Sequence, residues 1–112
     1  MNLVAFPLQP YNEANIDSVV KTVNSNFFGH ARFPDPEDKA SAYFCLIIKD
    51  HPFTDGNKRT AVLWLEVFCE LHNIEIQSND TIGLDVIAIS VEKSKLPIED
   101  IIKMTKRILF NI

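Results

Sequence analysis

The chain has 112 residues, 46% hydrophobic and 23% charged, with 11 basic against 15 acidic side chains and a formal net charge of −4. That length suits one domain, residues 1–112, and the hydrophobic share is that of a folded globular chain, too high for a disordered one. The acidic balance argues against non-specific nucleic-acid binding, which needs clustered Lys and Arg, and Cys45 and Cys69 are too few for a disulfide scaffold or a four-thiolate zinc site.

In chain order, Met1–Pro10 is apolar but lacks a basic start and is broken by Pro7 and Pro10, so it does not read as a signal peptide. No apolar run approaches the roughly 20 residues of a membrane span, and a cytoplasmic protein with no membrane partner is expected. Ile16, Val19, Val20, Val23 and Phe27 recur at helical spacing and predict a first helix from about Asn12 to Asn26. A loop from Phe27 to Pro36 follows, broken by Gly29, Pro34 and Pro36. Pro36, Glu37 and Asp38 suit a first turn, and Ala40, Tyr43, Phe44, Ile47 and Ile48 form the stripe of a second helix over 36–50.

After a polar loop, His51–Asn57, a third helix is expected from Lys58 to Asn73 with Asn57 as its N-cap. It is apolar on nearly every face, from Ala61 through Trp64 and Phe68 to Leu71, which predicts a buried central position. Glu75–Gln77 reads as a short extended piece. A fourth helix runs from a cap at Asp80 to Lys93, with Ile82, Leu84, Val86, Ile87, Ala88 and Ile89 giving a broad pattern that Gly83 weakens. A fifth begins near Pro97 and turns Ile98, Ile101, Ile102, Ile108 and Leu109 inward. The expected fold is all-α, a bundle of about five helices around a buried central helix. Both cysteines fall in apolar helical patterns and read as small buried hydrophobes in a reducing compartment.

The most informative segment is His51-Pro52-Phe53-Thr54-Asp55-Gly56-Asn57-Lys58-Arg59. A helix start presents backbone N–H groups and partial positive charge, and so favours anions. Gly56 lets the backbone turn tightly and approach a ligand. Lys58 and Arg59 place two cations where acidic residues are normally favoured, an inversion that an incoming phosphate would explain. Asp55 offers an oxygen ligand of the kind Mg²⁺ uses beside nucleotide phosphates. His51 titrates in the range suited to a general base, and Phe53 would pin the loop to the core. Together these are the parts of phosphoryl or nucleotidyl transfer.

This segment resembles the signature of the Fic/Doc family, H-x-F-x-[D/E]-G-N-x-R. Matching its specified positions at roughly 5% each has a chance on the order of 10⁻⁶ for the whole chain. Phe33-Pro34…Lys39-Ala40 and Ile47-Ile48-Lys49-Asp50 also resemble Doc-type sequences, so the resemblance extends from about Phe27 to the end. It implies His51 as general base toward a Ser, Thr or Tyr hydroxyl and Asp55 as ligand of Mg²⁺ on ATP. Gly56, Asn57 and Lys58 would form the anion nest, Lys58 and Arg59 would neutralise phosphate, and Phe53 would be structural. The 27–34 loop, with Phe28, Gly29, His30, Ala31 and Arg32, lies where the family carries a flap that positions the target chain by strand pairing. An ordinary helix connection is the other reading of that loop.

AMP-transferring members read G-N-G-R-x-x-R here, whereas this chain has Lys58 for the second Gly and Val62 for the second Arg. Those departures resemble Doc toxins, in which the γ-phosphoryl group moves and a translation elongation factor is the target. AMP transfer, and a catalytically silent nucleotide- or partner-binding module, are the alternatives. Gly56 is the Fic-like feature, since some Doc sequences have Ala there. No Glu is followed by Gly or Asn, so the family's self-inhibitory motif is absent and control by an antitoxin in trans is implied. The segment from Ile48 to Phe53 and the 90–112 pattern also resemble Fic/Doc modules behind RhuM-type virulence proteins, which would make the chain a C-terminal domain.

The remaining polar candidates have plainer readings. His72 suits the C-terminal end of the third helix, His30 is solvated, and Trp64 belongs to the core. Arg32 reads as a surface charge, and Lys103, Lys106 and Arg107 complement the dipole of the last helix.

Overall fold

The computed structural model describes residues 13–50, 56–77 and 83–112, with side chains described from residue 16 onward. The described residues form five helices, α1 (Glu13–Val23), α2 (Pro36–Asp50), α3 (Asn57–Leu71), α4 (Leu84–Lys93) and α5 (Ile98–Phe110), with one small hairpin of β1 (Asn26–Phe27) and β2 (His30–Ala31). The all-α expectation holds, and the Cα radius of gyration is 13.6 Å.

The central helix is α2 rather than α3. Nine consecutive residues of α2, from Ala40 to Ile48, are buried, and α1, α3, α4 and α5 all pack against it. Its sequence suits that seat, because Ala40, Ser41, Ala42 and Cys45 are small and let several neighbours approach at once. Both ends are specified locally. The Asp35 N–H donates to the Asp38 carboxylate at 3.2 Å, half of a capping box, ahead of Pro36. Lys49 lies in the last turn, where a cation suits the dipole.

In α3, only Thr60, Ala61, Leu65 and Cys69 are buried. Val62, Trp64 and Phe68 pack on the flank of the core, while Val67 and Leu71 are exposed. The apolar excess of α3 therefore serves a flank rather than a centre. Tyr43, Trp64, Phe68 and His72 form an aromatic row there, with ring centroids 5.3 Å apart for Tyr43–Trp64 and 4.1 Å for Phe68–His72.

Other expectations shift by local causes. α1 stops at Val23 because the Asn24 side chain donates to the Val20 carbonyl at 2.9 Å, and Ser25 Oγ donates to the Thr22 carbonyl at 2.7 Å. Phe27 is thus not part of the α1 stripe; it sits in β1, 70% exposed. On α5 the buried stripe is Ile101, Ile102, Thr105 and Leu109, with Phe110, whereas Ile108 points outward. Thr105 completes that stripe by meeting Cys45 Sγ at 3.3 Å. On α4, Ile87, Ala88 and Val91 are buried, while Val86 and Ile89 are exposed. The helix starts at Leu84 with Gly83 as its N-cap; the proposed Asp80 cap and Ile82 lie outside the described residues. Glu75–Gln77 forms no strand, but the Gln77 N–H donates to the Leu109 carbonyl and ties this stretch to the end of α5. Lys106 does more than complement a dipole, since its ammonium meets Asp38 at 2.7 Å and locks α5 to the start of α2.

Candidate active site

The start of α3 carries the described part of the candidate site. Gly56 precedes the helix with φ 76° and ψ 21°, left-handed backbone that a side chain would strain. Its carbonyl accepts the first helical bond, from the Thr60 N–H at 2.9 Å. Asn57 is the first helical residue rather than the N-cap; the cap is Gly56, which contributes no side-chain hydrogen bond. The first turn contains no acidic residue. Lys58 is partly buried and Arg59 is exposed.

The two cations are not treated alike. The Lys58 ammonium lies 3.0 Å from Glu92 Oε2 on α4, so the charge inversion read from the sequence is partly balanced from across the bundle. Lys49, at the end of α2, donates to the Glu92 carbonyl at 3.1 Å and to the Ser94 carbonyl at 2.8 Å. It thereby closes the carbonyl end of α4, where the helix dipole favours a cation. Sequence reasoning missed Glu92, Lys49 and Ser94 because no local pattern pairs residues 34 and 43 positions apart. Beneath the same turn, the Thr60 hydroxyl is buried, 6% exposed, and has no hydrogen-bond partner among the described residues.

His51, Phe53 and Asp55 lie outside the described residues. Among the described residues no group of three or more His, Cys, Asp or Glu side chains gathers to hold a metal. A polyphosphate fits what is described: a first helical turn with no acidic residue of its own, a left-handed glycine, two adjacent cations and a buried hydroxyl with no partner among the described residues.

Residues 26–31 form an antiparallel hairpin, pairing Asn26 with Ala31 and Phe27 with His30. The ladder continues one bond further, from the Arg32 N–H to the Ser25 carbonyl at 2.9 Å. Phe28 and Gly29 turn at φ 50° and 80°. Among the described residues the strands pack at the backbone level on each other and on none of the helices. Both Phe27 and Phe28 are exposed, their ring centroids 4.4 Å apart. The base is secured by buried Phe33 and by Arg32, which meets Glu99 on α5 at 2.7 Å and lies over the Phe33 ring. His30 is exposed, and Arg32 is a surface charge, as read from the sequence, that also pairs with Glu99. Strand structure is therefore present in the loop read as a flap, and the hairpin's tie runs to α5.

His72 sits at the C-cap of α3, its N–H donating to the Phe68 carbonyl at 3.0 Å, consistent with a capping role. The two thiols are inert by environment. Burial pushes Cys45 up to about 12, against the lowering effects of Thr105 and Lys49. Burial, aided by Glu37 and Glu66, pushes Cys69 up to about 11.

The sequence profile of the Fic/DOC family matches residues 5–69, more than half of the 112-residue chain. The chain belongs to the Fic/DOC family. The match begins before Phe27 and ends inside α3. Members of the Fic/DOC family are usually enzymes that modify proteins. No curated protein and no solved structure matches the chain. Among the described residues, no helix of this Fic/DOC chain is long and apolar enough to cross a membrane.

Proposed function

We propose that this Fic/DOC chain is a Doc-like phosphotransferase, moving the γ-phosphoryl group of ATP to a Ser, Thr or Tyr hydroxyl of a target protein. The observation that carries the reading is the start of α3, where left-handed Gly56 and the Lys58–Arg59 pair, with no carboxylate in the turn, suit a polyphosphate. The acceptor oxygen would bond to the γ-phosphorus as the bond to the β-bridging oxygen breaks and ADP leaves. His51 would take the hydroxyl proton, and Arg59 and Lys58 would offset the charge gathering on the phosphoryl oxygens. Bound Mg²⁺ would add charge neutralisation on the phosphates, with Asp55 as its protein ligand.

Two features favour phosphoryl over AMP transfer. Lys58 stands where AMP-transferring relatives have Gly, and Val62, where they have a second Arg, packs on the core. The exposed hairpin supports a role in aligning an extended acceptor segment by strand addition. By the Doc resemblance, the acceptor is a translation elongation factor, and an antitoxin acting in trans restrains the enzyme.

The decisive experiment supplies γ-labelled or α-labelled ATP to the protein with bacterial extract. Label reaching a protein from the γ position alone is the expected result, with His51→Ala lowering transfer by about 10²-fold or more. Label from the α position alone would replace this reading with AMP transfer. Nucleotide binding without transfer of either label would make the chain a silent binding module.

A further inference from the structure

Lys58 faces two claims at once. As a member of the helix start it is a cation aimed at a phosphate, yet its ammonium already lies 3.0 Å from the Glu92 carboxylate. Both side chains are about two-fifths exposed, 44% and 35%, so water screens the pair and its net worth is small. Glu92 itself is held in place. Lys49 grips its backbone carbonyl at 3.1 Å and the Ser94 carbonyl at 2.8 Å, fixing the end of α4 against the end of α2. Shifting α4 to withdraw the carboxylate would break both of those bonds, so an exchange of partners at Lys58 is a matter of the side chains and not of the helix.

We infer that Glu92 is the resident counter-ion of the anion site, holding Lys58 until the phosphates of an incoming nucleotide take its place. The inference rests on the reading of the α3 start as a polyphosphate site. It also accounts for how two adjacent cations are accommodated at the positive end of a helix without a ligand: one is neutralised from another helix, and the exposed Arg59 is left to meet the ligand first. The exchange is one of ionic partners, with no covalent change.

The full chain is titrated calorimetrically with inorganic tripolyphosphate and with ATP, as wild type, Glu92→Gln, Lys58→Met and the double variant. Removing the competing carboxylate tightens binding about two- to five-fold, the range set by a half-exposed ion pair. Lys58→Met weakens binding, and in its presence Glu92→Gln no longer tightens it, because the two effects pass through one contact. A purely structural role for Glu92 would instead lower the thermal midpoint and leave the affinity unchanged or weaker. Wild-type binding that Glu92→Gln leaves unchanged, or tightens equally with and without Lys58, overturns the counter-ion and leaves the site standing. Absence of binding in all four proteins removes the anion site, and the counter-ion with it.

Discussion

Cys45 shows how one buried atom carries a pH dependence for the fold. Its thiol keeps its proton up to about 12 when folded, whereas the exposed thiol of the unfolded chain loses it near 9. The stability this group contributes is therefore complete below about pH 9 and is lost as pH rises toward 12. Urea midpoints measured between pH 9 and 11 should fall, and fall less steeply for Cys45→Ala, with a difference of up to about 1.4 kcal/mol per pH unit. At pH 8, neither Cys45 nor Cys69 should react with a thiol reagent until the protein unfolds, as both are buried and protonated.

Among the elements, the hairpin departs furthest from its sequence pattern. Phe27 fits the i+11 position of the α1 stripe, yet the Asn24 and Ser25 side chains end that helix and release Phe27 into a strand. Phe28 then occupies left-handed backbone at φ 50°, unusual for a bulky residue. With Gly29 at φ 80° the turn has the signs of a type I′ hairpin, which Asn-Gly fills best. Phe28→Asn should therefore slow hydrogen exchange of the Arg32 amide, which closes the ladder on Ser25, by about three- to five-fold for a gain of about 0.6–1 kcal/mol. An unchanged or faster rate would mean that the exposed aromatic pair supports the turn after all.

The bounds of α2 were legible because both of its ends are specified by neighbouring residues. The apolar stripe of α5 was legible except at Thr105, whose hydroxyl reads as polar although it sits against Cys45. The motif glycine and cations were legible because they are contiguous. Glu92 and Lys49 were not, since their roles arise only when α4 folds back on the ends of α2 and α3.

For the molecule as a whole, the exchange of central helices matters most. Apolar content alone selects α3, but the seat among four neighbours goes to α2, which has the small residues that let helices close in. Because every other helix leans on α2, its loosening takes the main partner from α1, α3 and α5, while α4 keeps its packing on α3. Phe44, fully buried in α2, should cost about 3–5 kcal/mol when replaced by Ala. Unfolding of that variant should remain a single transition, with calorimetric and van't Hoff enthalpies in agreement. Two resolved transitions would show that α3 and α4 hold together without the central helix.

The aromatic row along α3 has a practical consequence. Trp64 is the chain's single tryptophan, and its ring lies 5.3 Å from that of Tyr43 on α2. At that separation light absorbed by Tyr43 passes to the indole, a contribution to Trp64 emission that is lost when α2 and α3 part. Trp64 also stands six residues along the helix from Lys58, about 9 Å of rise. The protein thus carries a native optical gauge of the seam beside the proposed anion site, readable without any attached dye.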